Sequence, residues 1–522
     1  MTALTTHAPV LLIAVPLLGA FAVPLIGKLG RPVRNAFVGL LMLFVAALAA
    51  MLAVSIFSTG GAPVVYELGG GSFTFPLSGE QVPVRIMLEI DGMSAFMGLI
   101  TALIALTASF YSFTYWKERS GGNLFFSLFC LLTAGIFGMQ MTGDMFNFFV
   151  FLEITSIAAC GLIGFRVWLK HSQEAGFKVM ALYTLSGLFV LLAIGLLYSQ
   201  YGHLNIAYLA SQLQGSLVDM IALGLLLTGL AMKAGAVPMH MWAPDAYGEA
   251  PAPMSAVLVA NSQASLYALF RILFTLFGLT FSVTALGWIL VVLALLTIFV
   301  GVTMALIQND LKRLIAYGAV SQIGYMLLGV GVGYTVSATQ PEFGFTALQG
   351  GIFHMLNDAA CVGLLFFAGG AAIRAAGTRD LNKMGGLAHS MKWTSIFFAI
   401  GAIALAGVPP LNGFASKYLI YEASFKLSPV LGVIAVLSSI LLLAVFVKAF
   451  QAIFLGPRTE LSQSASDPSA GMLLPMAFLV LVMLAFGLFP GFFVDKIVTP
   501  AANALWQGRD AYINAVGAFL GG

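Results

Sequence analysis

The chain has 522 residues, of which 60% are hydrophobic and only 8% charged, and its mean hydropathy is +1.00. A soluble domain carries about a quarter charged residues, so most of this apolar surface must face lipid. The net charge of +3 forms no basic stripe and no basic–aromatic pattern, which argues against a nucleic-acid partner. Cys130, Cys160 and Cys361 are isolated in apolar runs, so we expect no metal or iron–sulfur site and no cofactor.

Fourteen apolar segments are long enough to cross a bilayer, which takes about 20 residues. The first lacks a basic region before it and predicts a spanning helix, not a cleaved signal. Gly, Pro and alternating residues in 58–92 predict an extramembrane hairpin, and the amphipathic tail 493–522 predicts a surface segment. The predicted spans are 9–27, 35–57, 93–116, 122–141, 145–167, 174–200, 217–241, 252–278, 284–307, 312–333, 344–375, 391–424, 429–456 and 470–492.

The basic residues are distributed unequally between the two sides of this predicted topology. Fifteen of them fall in or near connections after odd-numbered helices, against four on the other side, and four more lie inside spans. Because cytoplasmic loops carry the excess of Lys and Arg, we expect both termini to face away from the cytoplasm. A miscounted helix would scramble this asymmetry, so it favours an even number of helices.

Five ionisable residues inside the predicted spans are candidates for function, because a charge near the bilayer centre costs at least ~2.5–3.5 kcal/mol. They are Glu153 on the fifth helix, Lys233 on the seventh, His354 and Asp358 on the eleventh, and Lys417 on the twelfth. The spacing of His354 and Asp358 places them on one face, where they could hydrogen-bond or exchange a proton. The sequence therefore predicts an ion-translocation path through the interior.

Each of these charges also has a structural interpretation. Glu153 and Lys233 could form a static ion pair between two helices, although a buried pair stabilises poorly because its desolvation cost can match the Coulomb gain. Arg271 and Lys448 lie near helix ends, so we expect their side chains to extend to the membrane interface.

Two lysines lie next to predicted helix breaks. Lys233 is followed by Gly235 and Pro238, whereas Lys417 is preceded by a segment rich in Gly and Pro, 407–413. Broken helices are tolerated at membrane depth where the backbone lines a polar cavity. The order of lysine and break is mirrored, and the two helices point in opposite directions, so we expect inverted-topology repeats with two half-channels.

Several longer motifs make the chain recognisable. They are GDMFNFFVFLEITSIA around Glu153, MKAGAVPMHMWAPDAYGEAPAPMSAVL around Lys233, NDLKRLIAYGAVSQIGYM at 309–326, FHMLNDA at 353–359 and GVPPLNGFASK at 407–417. Over roughly residues 90–425 the chain resembles the antiporter-like subunits of respiratory complex I, Mrp-type Na+/H+ antiporters and membrane-bound group 4 hydrogenases. DMFNFFVFLE looks closest to the Mrp and membrane-bound hydrogenase branch.

The resemblance implies an all-α membrane fold of about fourteen helices with discontinuous helices 7 and 12. Helices 4–8 and 9–13 would form inverted five-helix repeats, here residues 122–279 and 280–456. Residues 1–92 would contain helices 1 and 2 and the extracytoplasmic hairpin, 93–121 helix 3, and 457–522 helix 14 and a surface segment.

The resemblance also assigns functions to individual residues. Glu153 and Lys233 match a coupled glutamate–lysine pair, His354 matches a histidine of the eleventh helix, and Lys417 matches the lysine of the exit half-channel. His240 and Lys178 also match recurrent residues; Lys178 lies near the cytoplasmic end of the sixth helix.

The chain departs from the family pattern in its predicted central axis. Gln263 replaces a lysine or histidine that many relatives carry on the eighth helix, and Asp358 and Val362 replace the histidine and lysine of an HAxxK segment. Gln263 can hold water but cannot take up a proton at physiological pH, and Asp358 titrates with the opposite charge. Either water bridges this gap, or the subunit translocates differently or not at all.

We therefore expect a subunit that moves protons, and possibly Na+, in a redox-driven or antiporter complex of the prokaryotic inner membrane. A charge change in a neighbouring subunit would loosen the Glu153–Lys233 pair, and the proton would pass through His354 to Lys417. A redox partner would be like NADH:quinone oxidoreductase or hydrogenase, with no redox site in this chain. Two alternatives stay open: a structural subunit that has lost transport, and a stand-alone secondary transporter.

Overall fold

The structure is a computed structural model that describes residues 3–74, 81–117, 120–278, 280–459, 463 and 465–520. Its membrane-crossing helices are α1 (Ala3–Ile26), α2 (Arg31–Ser58), α3 (Gly92–Tyr115), α4 (Gly122–Met141), α5 (Met145–Ile163), α6 (Lys170–Tyr201), α7a (Leu217–Ala234) with α7b (Ala243–Glu249), α8 (Ala252–Arg271), α9 (Val283–Ile307), α10 (Leu311–Val336), α11 (Pro341–Ala376), α12a (Lys392–Ala406) with α12b (Asn412–Leu427), α13 (Pro429–Phe450) and α14 (Ala470–Leu488).

The number of membrane passes agrees with the sequence. Within the described residues, thirteen helices are long and apolar enough to cross a membrane; α7a and α7b together count as one of them. The fourteenth pass is α12, whose first half Lys392–Ala406 is too short alone and continues after a break into Asn412–Leu427. The chain is a multi-pass, mostly helical membrane protein; its described residues form thirteen candidate passes, and the two halves of α12 form a fourteenth.

Both predicted helix breaks are present, and each begins at a glycine. Gly235 ends α7a and Gly407 ends α12a, with backbone φ angles of +89° and +82° that side chains other than glycine rarely adopt. Pro238 and Pro410 follow, and neither can continue the helical hydrogen bonding. Helices 7 and 12 are therefore discontinuous, as predicted.

The mirrored order of lysine and break was the wrong reason to expect inverted repeats. A repeat that is inverted in the membrane keeps the order of its residues along the chain. The breaks keep that order, as Ala-Gly-Ala-Val-Pro at 234–238 and Ala-Gly-Val-Pro-Pro at 406–410, in helices that run in opposite directions. Lys233 precedes its break and Lys417 follows its own, so the two lysines are not equivalent positions. The repeat boundaries stay a prediction.

An antiparallel hairpin, β1 (Val64–Thr74) and β2 (Gln81–Ile90), connects α2 to α3. We call the membrane face on which it lies the hairpin side. His7, near the start of α1, contacts Tyr66 of the hairpin at 3.0 Å, and Gly92 packs so closely on Pro500 that a Cβ atom would lie 2.4 Å from the Pro500 carbonyl oxygen. The N-terminal segment and the tail therefore both lie on the hairpin side, in agreement with an even number of passes.

The opposite face, which we call the basic side, carries most of the loop charges. Fourteen of the fifteen basic residues assigned to it from the sequence lie in described segments, and Arg119 lies outside them. On the hairpin side, the side chain of Arg85 lies outside the described part of the chain.

The tail is more firmly attached than a surface segment. Helices Thr499–Trp506 and Arg509–Leu520 bury Ala501, Leu505 and Tyr512. Arg509 donates hydrogen bonds to the carbonyl oxygens of Thr275, at 3.1 Å, and Ala210, at 2.5 Å. The apolar face of the predicted surface segment therefore packs on the helices beneath it.

The centre of the molecule is formed by α8, α10 and α11. Nearly every residue of α8 and α10 is buried, and so are most residues of α11. These helices are screened from lipid by their neighbours, so their polar side chains face other helices. Gln263, His354 and Asp358 are carried on these central helices.

Candidate functional site

Lys233 lies at the end of α7a, fully buried, beside α5 and α6. Its ammonium group donates hydrogen bonds to the Leu152 carbonyl oxygen, at 2.5 Å, and to Ser156 Oγ, at 2.7 Å. The nitrogen also lies 4.9 Å from the ring centroid of Tyr183. An ammonium group has three donors and attracts the face of an aromatic ring, so this pocket fits a protonated lysine.

Glu153 is close to Lys233 but does not form a direct ion pair with it. No Glu153 carboxylate oxygen lies within 4.0 Å of Lys233 Nζ; the lysine instead bonds to Leu152 and Ser156, on either side of Glu153. Oε1 of Glu153 packs against Gly187 of α6 and has no hydrogen-bond partner among the described residues. The two groups can influence each other electrostatically, but the static pair considered from the sequence is not formed.

Glu153 also faces a lateral groove of about 750 Å³ between α4, α5 and α6. Ser156 and Cys160 line the same groove, together with mostly apolar side chains such as Leu128 and Phe177. The carboxylate therefore lies between the buried lysine and a face of the protein that is open towards its surroundings.

Lys417 occupies a chemically similar pocket at the second helix break. Its ammonium group donates to the Leu405 carbonyl oxygen at 2.8 Å and to Ser439 Oγ at 3.1 Å, and lies 4.3 Å from the ring centroid of Tyr325. Leu405 belongs to the last turn of α12a, so the lysine accounts for one of the carbonyl groups left unpaired at that helix end. The break and the buried charge stabilise each other.

His354 lies next to Lys417 in a network of neutral polar groups. Its Nδ1 is 2.9 Å from Ser416 Oγ, and its Nε2 is 3.1 Å from Gln322 Oε1. Asn357 donates to the same Ser416 hydroxyl at 2.9 Å. Both ring nitrogens thus have partners, and Ser416 directly precedes Lys417 in the chain.

Gln263 and Asp358 meet between the two lysine pockets. Gln263 Nε2 donates to Asp358 Oδ2 at 2.9 Å and to the Met355 carbonyl oxygen at 3.0 Å, and both side chains are buried. The structure shows no direct hydrogen bond between His354 and Asp358, which the sequence allowed; each side chain bonds to other partners. Val362, one turn further along α11, is fully buried and cannot titrate.

Several acceptor atoms between the Lys233 pocket and the Lys417 pocket have no hydrogen-bond donor among the described residues. They are Asn261 Oδ1, Gln263 Oε1, Asp358 Oδ1 and Glu153 Oε1. Buried polar atoms of this kind are sites where internal water binds, because leaving them unpaired is costly. Asn261 also contacts the Tyr183 hydroxyl at 3.5 Å, which extends the polar line towards the Lys233 pocket.

Lys178 and His240 lie apart from this line, towards the basic side. Lys178 bonds to Glu174 at 2.8 Å and to Asp245 at 3.1 Å, at a polar cavity of about 180 Å³. His240 lies in the break of helix 7, 6.4 Å from the ring centroid of Tyr317, and its buried Nδ1 has no hydrogen-bond partner in the described chain.

The expectation for Arg271 was wrong, whereas that for Lys448 agrees with the structure. Arg271 is buried and binds both carboxylate oxygens of Asp91, at 2.6 and 2.7 Å. Lys448 is exposed at its helix end and donates to the Leu306 carbonyl oxygen at 2.9 Å. A neighbouring carboxylate thus holds the arginine in the interior.

Sequence reasoning missed the neutral groups that complete both pockets. They are Ser156, Tyr183, Asn261, Gln322, Tyr325, Asn357, Ser416 and Ser439. Such residues are common in membrane helices, so their type alone carries little signal. A usable signal existed only for some of them: Asn261, Gln322, Tyr325 and Asn357 lie on the central helices, and Ser416 follows the break of helix 12.

A family model described as "NADH:quinone oxidoreductase/Mrp antiporter, TM" matches residues 142–442. The chain belongs to this family. It is 33% identical to an NADH-quinone oxidoreductase subunit of Desulforudis audaxviator (95% of this chain, 98% of that one) and 32% identical to a Na(+)/H(+) antiporter subunit of Bacillus subtilis (89% and 94%).

Solved structures agree with this assignment. A chain of the Mrp complex from Dietzia sp. superposes with a TM-score of 0.84 at 26% identity and covers 99% of this chain and 100% of its own length. A chain of the membrane-bound sulfane sulfur reductase, an archaeal respiratory membrane complex, gives 0.83 at 27% identity, with coverage of 97% and 100%. The fold is that of antiporter-like subunits of multi-subunit membrane complexes.

Proposed function

We propose that this chain translocates protons across the membrane along a line from the Lys233 pocket through Gln263 and Asp358 to His354 and Lys417. The observation that carries the proposal is the pair of fully buried lysines, each in a pocket suited to an ammonium group. A buried charge is costly, so two of them at helix breaks are more readily explained by transport than by stability.

The proposed sequence of events begins at Glu153. A charge change near the lateral groove alters the field that Glu153 exerts on Lys233, so the two groups titrate as a unit. The proton released by Lys233 moves along water bound at the unpaired acceptors of Asn261 and Gln263 to Asp358, which takes it up and passes it on. His354 and Lys417 then receive it, and the hairpin side is the outlet.

Partners and orientation also belong to this proposal. We infer that the chain works with other membrane subunits, because its structural neighbours are chains of multi-subunit complexes. The excess of basic residues supports an orientation with the basic side in the cytoplasm of a prokaryotic cell and both termini outside its inner membrane. The energy source, a redox reaction or antiport of Na+, depends on the partner subunits.

The test is proton pumping by the purified complex in proteoliposomes, with Lys233→Met and a matched Lys448→Met control. Methionine keeps the length and apolar stem of lysine but cannot carry a proton. We expect Lys233→Met to stop pumping while the complex assembles normally, and Lys448→Met to pump like the wild type, because Lys448 is exposed at a helix end. Undiminished pumping by Lys233→Met would rule out this path.

A second function is favoured by one observation. Gln263 and Val362 cannot titrate, so the line between the lysines has fewer proton-carrying groups than the family pattern. A chain that had lost transport would act as a structural subunit. In that case the Lys233→Met and Lys417→Met variants of the complex would pump protons at the wild-type rate. Their uptake of radioactive Na+ would also equal that of the wild type.

A further inference from the structure

A second group of buried charges lies on the hairpin side, away from the proposed path between Lys233 and Lys417. Asp91 and Arg271 form the ion pair described above, and the hydroxyls of Ser94 and Tyr267 accept hydrogen bonds from the guanidinium at 3.2 Å each. The Tyr512 ring of the C-terminal helix lies 4.9 Å from the guanidinium carbon. The cluster therefore joins the start of α3, the end of α8 and the tail.

Glu89, at the end of β2, is the unexplained member of this cluster. It is only 1% exposed, and neither carboxylate oxygen accepts a well-formed hydrogen bond from the described part of the chain. Its neighbour Gly143, in the turn between α4 and α5, is so close that a Cβ atom there would lie 3.1 Å from Oε2. An ionised carboxylate without donors is very costly in such a place, whereas the neutral acid is tolerated.

Among the described residues, the surrounding groups leave no unpaired positive charge for an ionised Glu89. Arg271 is already bound by both oxygens of Asp91, and the hydroxyl of Tyr512 faces Glu89 without completing a well-formed hydrogen bond. Tyr267 is bonded to Ser94, and Asp144, in the α4–α5 turn, accepts a hydrogen bond from Asn147 N. Burial raises the pKa of Glu89 well above its ordinary value, an effect that the charge of Arg271 opposes and that of Asp91 reinforces.

We propose that Glu89 is a proton-binding site on the hairpin side, and that its bound proton keeps the C-terminal helix Arg509–Leu520 packed against α8. Loss of the proton would place a second carboxylate beside Asp91, in competition for one guanidinium. The least costly response is to admit water, which requires the hairpin and the tail to separate from α8. The packing of the tail thus depends on the proton concentration on that side, whether or not the chain carries protons itself.

The expected sign follows from proton linkage. The folded state holds the Glu89 proton at pH values where the unfolded chain has released it, so stability falls as pH rises above the ordinary glutamate pKa. Replacing Glu89 with glutamine keeps the shape of the neutral acid and removes the titration. The variant should therefore lose this alkaline destabilisation.

The experiment compares wild type, Glu89→Gln and the control Glu422→Gln as full-length protein in detergent, from about pH 5 to about pH 9. Glu422 is a glutamate on the same side, partly exposed and paired with Lys426 at 2.6 Å. We expect an infrared band of a protonated carboxyl at neutral pH that Glu89→Gln removes and Glu422→Gln retains. Hydrogen exchange in Arg509–Leu520 should rise with pH in the wild type and in the control but not in Glu89→Gln.

The opposite results would overturn the proposal. An infrared spectrum that Glu89→Gln leaves unchanged means that Glu89 is ionised, and a pH-dependent exchange that persists in this variant means that another group is responsible. Tyr512→Phe is the second variant, usable if Glu89→Gln does not fold. It removes a hydroxyl that favours the ionised carboxylate, so the midpoint of the exchange transition should move to higher pH; an unchanged or lower midpoint contradicts the role of Glu89.

Discussion

The Lys233 and Lys417 pockets are alike in their immediate contacts and different in their surroundings. Each ammonium group meets a backbone carbonyl oxygen, a serine hydroxyl and a tyrosine ring. The carboxylate beside the first pocket, Glu153, faces a lateral groove, whereas the carboxylate near the second, Asp358, is buried and bonded to Gln263. The second has a histidine, His354, joined to it through Ser416.

This difference indicates how the two pockets divide the work. A carboxylate next to a lateral groove makes the charge on Lys233 sensitive to events outside the chain. A histidine with partners on both ring nitrogens makes the second pocket suited to passing a proton on. The first pocket would couple transport to the partner, and the second would deliver the proton, so substitutions that separate these functions test the comparison.

The largest effect is expected from Lys417→Met. If both lysines lie on one path, this change should reduce pumping to background, as Lys233→Met does, although the two residues are far apart in the chain. The measurement is the rate of acidification in proteoliposomes that contain the intact complex. Pumping near the wild-type rate would mean that the second pocket is not on the path.

Glu153→Gln should separate coupling from delivery. The amide keeps the size of the carboxylate but cannot change its charge, so we expect turnover by the complex to continue while proton transport falls at least about a hundredfold. The matched His354→Gln variant should lose proton transport to a similar extent, and turnover by the partner subunits should again continue. If both variants lose partner turnover equally, the proposed division is incorrect.

Removal of one hydroxyl from each pocket should have a smaller effect. A hydrogen bond to a charged group contributes about 1.5–3 kcal/mol, so Ser156→Ala should slow pumping without stopping it. Ser439→Ala should do more, because Ser439 also bonds to Tyr325 at 2.8 Å and Tyr421 at 2.5 Å. Equal rates in the two variants would argue against this ranking.

The smallest effect is expected from Tyr183→Phe, which retains the ring over Lys233. Within the described chain its hydroxyl has one weak hydrogen bond, from Asn261 at 3.5 Å. Tyr325→Phe should cost more, because that hydroxyl bonds to the Ala435 carbonyl oxygen at 2.6 Å and to Ser439. Pumping rates of the two variants, measured side by side, would show whether the hydroxyl or the ring matters in each pocket.

Much of the fold and the charged part of the site could be predicted from sequence. Long apolar segments and the Gly–Pro breaks are local signals. A charged side chain in such a segment is conspicuous because its burial in the membrane costs free energy. Glu153, Lys233 and Lys417 were found in this way.

The remaining features depend on contacts between residues distant in the chain. Asp91 and Arg271 are separated by 180 positions, so their pairing, which keeps the arginine buried, has no local signal. The bond from Gln263 to Asp358 was missed for the same reason, as was the choice of Ser416 over Asp358 as partner of His354. The break motifs could have been aligned in chain order, which would have shown that the lysines are not equivalent.

The central claim is that the two lysine pockets belong to one continuous path, and Asp358→Asn tests it most directly. Asparagine keeps the oxygen that accepts the Gln263 hydrogen bond but cannot titrate, and both lysine pockets stay intact. We predict that the complex assembles, that the partner still turns over, and that proton pumping falls at least about a hundredfold. Pumping at the wild-type rate would contradict the proposed role of Asp358 as a proton-carrying station between Lys233 and Lys417.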